Sequence, residues 1–160
     1  MNQPLHALAT QPDEIDLAGI QWSRVTGGPE FDYPIDYAYC VSGHDKATNT
    51  VDFLVKWAPN AYCHYHRHLG TTQVWLLQGE QHLYETHDFE TVHKVRREGF
   101  TGPCPDGEVH MEHAGPEGMT ILFRIQVPDQ RMFDLLNRDG STILTATLDD
   151  LAERRLGETG

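Results

Sequence analysis

The chain has 160 residues, the size of one ordinary domain. With 39% apolar residues, 14 Gly and 9 Pro, its composition excludes a disordered, collagenous or coiled-coil chain and favours a turn-rich β protein. Twelve Lys plus Arg against 24 Asp plus Glu leave a net charge of −12, a sign that repels phosphate backbones, so nucleic acid is not an expected partner.

Residues 1–19 read as an N-terminal arm ordered by docking, without the basic start and apolar run of a secretion signal. The cytoplasm is the expected address, with Cys40, Cys63 and Cys104 as reduced thiols. No apolar stretch approaches the roughly 18 residues of a membrane helix, so no membrane partner is expected. From residue 20 onward β-prone runs predict strands over 37–42, 51–57, 62–68, 73–77, 81–86, 91–95, 108–113, 119–127, 131–136 and 141–146. Gly and Pro punctuate them, among them Gly79, Gly99, Gly107, Gly115 and Gly118, as in a sandwich or barrel. Thr147 or Asp149 is placed to cap one final helix running through Arg155. The expected division is an arm over 1–19, a barrel over 20–147, and a helix and tail over 148–160.

Of ten histidines, His64, His66 and His68 alternate along one expected strand and so share a face. Same-face neighbours lie about 6.6–6.8 Å apart, so two of the three can grip one ion while the third stands beside it. Neutral imidazole is the commonest side-chain metal ligand, although a polar strand face explains this triplet alone equally well. A second segment, residues 99–110 (GFTGPCPDGEVH), brings His110 to the start of a strand after a rigid Pro and Gly turn. That placement suits a third ligand from a distant part of the chain.

These two segments resemble the paired motifs of the cupin superfamily. In the first, Asn60 stands at the opening Gly, His66 and His68 at the His-x-His pair, Thr72 at the Glu and Gly79 at the closing Gly. In the second, Gly99, Pro105, Gly107 and His110 match, and Ala114 replaces the Asn. The resemblance implies an all-β, single-domain cupin, a double-stranded β-helix or jelly-roll barrel, with His66, His68 and His110 on one divalent metal. Fe(II) is the ion expected, and Zn, Ni and Cu also suit imidazole. Asn60 tolerates the left-handed backbone that Gly would supply. With Thr72 in place of the Glu, three neutral histidines leave the full dication uncompensated, which favours an anionic chelating substrate. Gln73, Glu85 and Glu112 are the candidates for a further group at the metal.

Within the superfamily, the runs HRHLG (66–70), PDGEVH (105–110) and NRDG (137–140) are similar to the three-histidine branch of acetylacetone-cleaving and dihydroxyacetophenone dioxygenases. That resemblance implies an enzyme that uses O2 to cleave a C–C bond of a small β-diketone or hydroxyketone bound as its enolate. His64 or Gln73 would donate a hydrogen bond to substrate or oxygen, and a homodimer or homotetramer is expected. The other functions considered are a metal-dependent sensor or binding module without turnover, and a metal-assisted isomerase.

Bland readings apply elsewhere. Parity places Cys63 away from His64 and His66, and Cys63 and Cys104 read as small buried hydrophobes. His82, His87, His93 and His113 read as solvated or hydrogen-bonded, with His113 facing away from the site. Arg67 falls on the opposite face from its neighbouring histidines, and Arg124 is an anchor candidate for an anionic substrate. Trp57, Trp75, Tyr62, Tyr84, Phe100 and Phe123 read as core, one or two of them lining the barrel mouth.

Overall fold

The β-branched and aromatic runs become ten strands in the computed structural model, which describes residues 7–8, 11–12, 15–87 and 90–154. These are β1 (Ser23–Thr26), β2 (Asp36–Asp45), β3 (Thr50–Trp57), β4 (Tyr65–His68), β5 (Thr72–His87), β6 (Glu90–Arg97), β7 (Thr101–Cys104), β8 (Val109–Gln126), β9 (Arg131–Leu136) and β10 (Thr142–Thr147). A short α1 (Leu148–Ala152) follows, and a 3-10 turn at Leu17–Gly19 precedes β1. Every pairing between the strands is antiparallel. The sheet runs β1-β2-β3-β8-β4-β9-β10, and β5 also lies against β8 and carries β6 and β7. The long β8 is therefore the spine, touching β3, β4 and β5.

Two differences from the expected strands have one cause. β5 is 16 residues long and β8 is 18, each running through what reads in sequence as two strands and a turn. The glycines between them are not turns but irregularities in a continuous ladder, with register shifts between Leu76/Gln78 and Gly79/Gln81. Gly79 has φ +83°, and a Cβ there would fall on the Gly118 carbonyl oxygen. It is the close crossing of β5 and β8 that demands glycine here. β7 is the converse case, a short strand within the expected 99–107 turn, held by pairing with residues 72–75 of β5.

The concave side of the curled sheet holds the core. Phe53, Phe123 and Phe133 meet with ring centroids 5.5 Å and 6.4 Å apart, and burying each such ring contributes about 1.5–3 kcal/mol. Thr147 caps α1 in a reciprocal box with Asp150, and the helix buries Leu148 and Leu151 against the sheet. It ends at Ala152, short of the expected length, and Arg155 lies outside the described residues. So does most of the expected N-terminal arm. Among the described residues no helix is long and apolar enough to cross a membrane.

Candidate metal centre

β4 supplies His66 and His68, both buried. Arg67 between them turns the other way, onto Asp134 at 3.2 Å. β8 runs antiparallel beside β4 with His66 directly opposite His110, so strand register brings the third imidazole to the first two. The turn before β8 is clamped to β4 by His68 N–H on the Glu108 carbonyl (2.9 Å) and Gly107 N–H on the His68 carbonyl (2.8 Å). The three ring centroids lie 4.6–5.1 Å apart, and His68 Nε2 is 3.0 Å from His110 Nε2.

Each ring has an acceptor at its far nitrogen. His66 Nδ1 donates to the His64 carbonyl at 2.8 Å, and His110 Nδ1 to Glu108 Oε2 at 3.1 Å. His68 Nδ1 lies 3.5 Å from the Thr72 hydroxyl, which donates in turn to the Gly70 carbonyl at 3.2 Å. An Nδ1–H directed outward leaves the Nε2 lone pair directed inward, the form a metal requires. Thr72, where the cupin motif has Glu, thus orients a ligand instead of being one.

The fourth group comes from β8. Glu112 Oε1 is 3.2 Å from His110 Nε2 and 3.5 Å from His66 Nε2, while Oε2 accepts from the Gln81 amide. Oε1 is buried and has no well-aligned hydrogen-bond donor. What faces it is the Nε2 side of His110 and His66, where a cation, imidazolium or metal, offsets the cost of burying the carboxylate. One donor atom from each of His66, His68, His110 and Glu112 lies within 4.8 Å of the others. Three inward imidazole nitrogens and an orphaned carboxylate oxygen fit a divalent transition metal.

Of the three candidates for a further group at the metal, Glu112 is the one that stands among the histidines, where its charge would leave +1 beside a divalent ion. The other two candidates are not among these donors. Glu85, opposite His110 across β5 and β8, is buried beside Glu108 and holds Lys94 Nζ at 2.9 Å. Gln73, expected at the reacting groups, is on the face of β5 opposite Thr72 and gives its amide to Thr101 Oγ1 at 2.8 Å. Strand alternation turns it away from the centre.

Without metal, the charges sort unevenly. Burial, aided by His110, pushes His66 down to about 4, and burial pushes His68 well below its ordinary value. Burial also opposes charge on His110, but the Glu108 and Glu112 carboxylates overcome it and hold the imidazolium up to about 9. Burial opposes charge on Glu112 too, but His110, His66 and the Gln81 amide together hold its carboxyl below the usual range.

Beside His66 and Glu112 lies a cavity of about 50 Å³, walled by Phe53, Trp57, Phe123, Phe133, Leu135 and Ala146. A water needs roughly 10–15 Å³ on this scale, so the space suits a few small polar or apolar groups. His64 is in its wall, with Nδ1 3.0 Å from the Tyr37 hydroxyl and the Phe31 ring 5.2 Å from its own. Burial pushes it down to about 4, so it is neutral. Cys63 lines the same cavity, 3.8 Å from His66 Nδ1. It is buried as expected, but not turned away from the site. Parity fails there because the regular strand begins only at Tyr65.

His113 faces away, bonding the Tyr84 hydroxyl at 3.0 Å and stacking on His82. Arg124 is not at the centre. Its guanidinium grips Asp52 through two bonds of 2.7 Å and 2.9 Å.

No protein-family model matches the sequence, and no curated protein matches it. Solved structures do match. An acetylacetone dioxygenase from Acinetobacter johnsonii superposes with TM-score 0.64 at 12% identity, over 98% of this chain and 96% of that one. A cupin 2 conserved barrel domain protein from Rhodopseudomonas palustris gives 0.63 at 14%, over 83% and 87%. An oxalate oxidase in complex with the substrate analogue glycolate gives 0.51 at 17%, over 58% and 52%. The chain spans about half the length of the oxalate oxidases it matches. At these identities the likeness establishes the architecture: the chain has the cupin fold, all-β with one short α-helix among the described residues.

Proposed function

We propose that the protein is a metal-dependent dioxygenase that cleaves a C–C bond of a small β-diketone or hydroxyketone taken up as its enolate. The observation that carries this reading is an apolar cavity opening beside a buried set of three imidazoles and one carboxylate. With Glu112 ionised, a divalent ion leaves a centre of +1, which a monoanionic enolate neutralises. A dianion such as oxalate would leave net negative charge beside a cavity that no Lys or Arg lines among the described residues, and buried unpaired charge is strongly disfavoured. The fold likeness to an acetylacetone dioxygenase, over nearly the whole of both chains, supports the same choice.

A bound divalent ion supplies Lewis acidity toward the enolate oxygens and, as ferrous iron, a redox partner for O2, with Zn, Ni or Cu as the other ions the ligands suit. The chain's own residues do the rest. The phenyl rings and Leu135 exclude water around the substrate carbons. Tyr37, whose hydroxyl burial keeps protonated, donates to His64 Nδ1, so the hydrogen that His64 offers a substrate oxygen is on Nε2. Scission distributes the two oxygen atoms of O2 over two carbonyl products. A homodimer or homotetramer and a cytoplasmic address belong to the same proposal.

The test is oxygen consumption by the ferrous protein with 2,4-pentanedione, cyclic diketones, hydroxyacetophenones and oxalate. One O2 per ketone and none with oxalate is expected, and no uptake with any ketone rejects the reading. Glu112 also gives weight to a second function, a metal-dependent binding module. Four protein donors complete a tetrahedral ion and leave no open position. That protein would bind ketones without consuming oxygen.

A further inference from the structure

We propose that Glu108 is a positioning residue for the metal: its carboxylate holds His110 as the Nδ1–H tautomer that aims Nε2 at the ion, and the Cys104 thiol holds Glu108 in place. The inference rests on the metal reading above, but not on the reaction.

Glu108 Oε2 accepts two hydrogens, from Cys104 Sγ at 2.8 Å and from His110 Nδ1 at 3.1 Å. It lies at the ring edge of His110 opposite Glu112, so the two carboxylates address the two nitrogens separately. His66 and His68 direct their Nδ1–H at a carbonyl and a hydroxyl. Of the three Nδ1 groups, only that of His110 faces a charged acceptor, and such bonds are about twice as strong as neutral ones. The backbone of Glu108 is fixed as well. Its carbonyl accepts from His68 N–H at 2.9 Å and its own N–H donates to the Pro105 carbonyl at 3.2 Å. One turn therefore sets the ligand of β8 against the ligands of β4.

Cys104, Glu108 and His110 also bring donor atoms within 4.8 Å of one another, which raises a second metal site as the rival reading. Two features oppose it. His110 would have to surrender both ring protons to serve two ions, and the Cys104 thiol is already engaged as the hydrogen-bond donor to Glu108.

The experiment titrates metal-free wild type, Glu108→Ala, Glu108→Gln and Cys104→Ser with Co(II), read by visible absorption and chelator competition, beside thermal melts of the metal-free proteins. Wild type takes one ion per chain. Glu108→Ala binds about 10–100-fold more weakly, the range for loss of a partner behind a ligand histidine. Glu108→Gln, which keeps an oxygen acceptor without charge, falls between, and Cys104→Ser, whose hydroxyl still donates, stays near wild type. A merely structural role would move the melts without this order of affinities. If Glu108→Ala does not fold, Glu108→Gln carries the comparison. Unchanged affinity in both Glu108 variants overturns the inference, as does a second ion per chain that they lose. No cobalt uptake by wild type overturns the metal reading beneath it, whereas absent oxygen consumption touches only the dioxygenase.

Discussion

Glu112 follows His110 by two residues on β8, and its Oε1 lies 3.2 Å from the histidine Nε2. The pleat puts both on one face, so they form a charge pair without metal and two ligands with it. Loss of a partner behind a ligand already weakens metal binding by roughly 10–100-fold, and loss of a ligand charge should do at least as much. Glu112→Gln is therefore expected to bind Fe(II) or Co(II) at least about tenfold more weakly. Because its centre keeps +2, it should also gain affinity for oxalate relative to 2,4-pentanedione. Competition titrations of wild type and variant check both.

Protonation predicts a pH optimum for metal-free stability. His64 and His66 drop to about 4 in the folded chain from 6.5, so their contribution is complete above pH 6.5 and lost as pH falls toward 4. His110 rises to about 9 from 6.5, so its contribution is complete below pH 6.5 and lost as pH climbs toward 9. The Tm of metal-free protein should peak near pH 6.5, and saturating metal, which holds His110 deprotonated at Nε2, should remove the alkaline decline. Melts from pH 4 to 9 with and without metal measure this. A metal-free Tm that climbs between pH 6.5 and 9 contradicts it.

Ala146 is a small residue in the cavity wall. Ala146→Leu puts three more carbons into about 50 Å³, and contacts of this kind are worth roughly 10–200-fold in discrimination. KM for a diketone should rise at least about tenfold with metal affinity unchanged. Steady-state kinetics beside a metal titration separate the two.

Arg124 tests the opposite case, a charged side chain that sequence suggests for substrate and the structure assigns to stability. Arg124→Ala leaves the buried Asp52 carboxylate without its guanidinium. The loss should be about 2–3 kcal/mol, under the ~3–5 of fully buried pairs because Arg124 is 27% exposed. Denaturant unfolding measures the loss, and KM should not move. A raised KM would restore Arg124 as an anchor.

The three histidines were legible because paired motifs with fixed spacing report a register, and His66 does sit opposite His110. Glu112 was visible only as one of three candidates, although His-x-Glu at the start of an expected strand already implies a shared face. What separates it from Glu85 and Gln73 is which strand lies beside which, and that is a long-range property. Gly79 and Gly118 misled for a related reason, since sequence cannot distinguish a glycine that ends a strand from one that lets two strands touch. Alternation does not place Cys63 because the strand starts at Tyr65, three residues after the expected Tyr62.

The most direct measurement is elemental analysis of protein purified without a polyhistidine tag, for wild type, His66→Ala and His110→Ala together. Imidazoles from β4 and β8 sharing one ion with Glu112 require about one equivalent of a divalent transition metal per wild-type chain, iron if the dioxygenase reading holds, and near none in either folded variant. Wild-type protein that stays empty when supplied with Fe(II) and Zn(II), or variants that keep their metal in full, would contradict it.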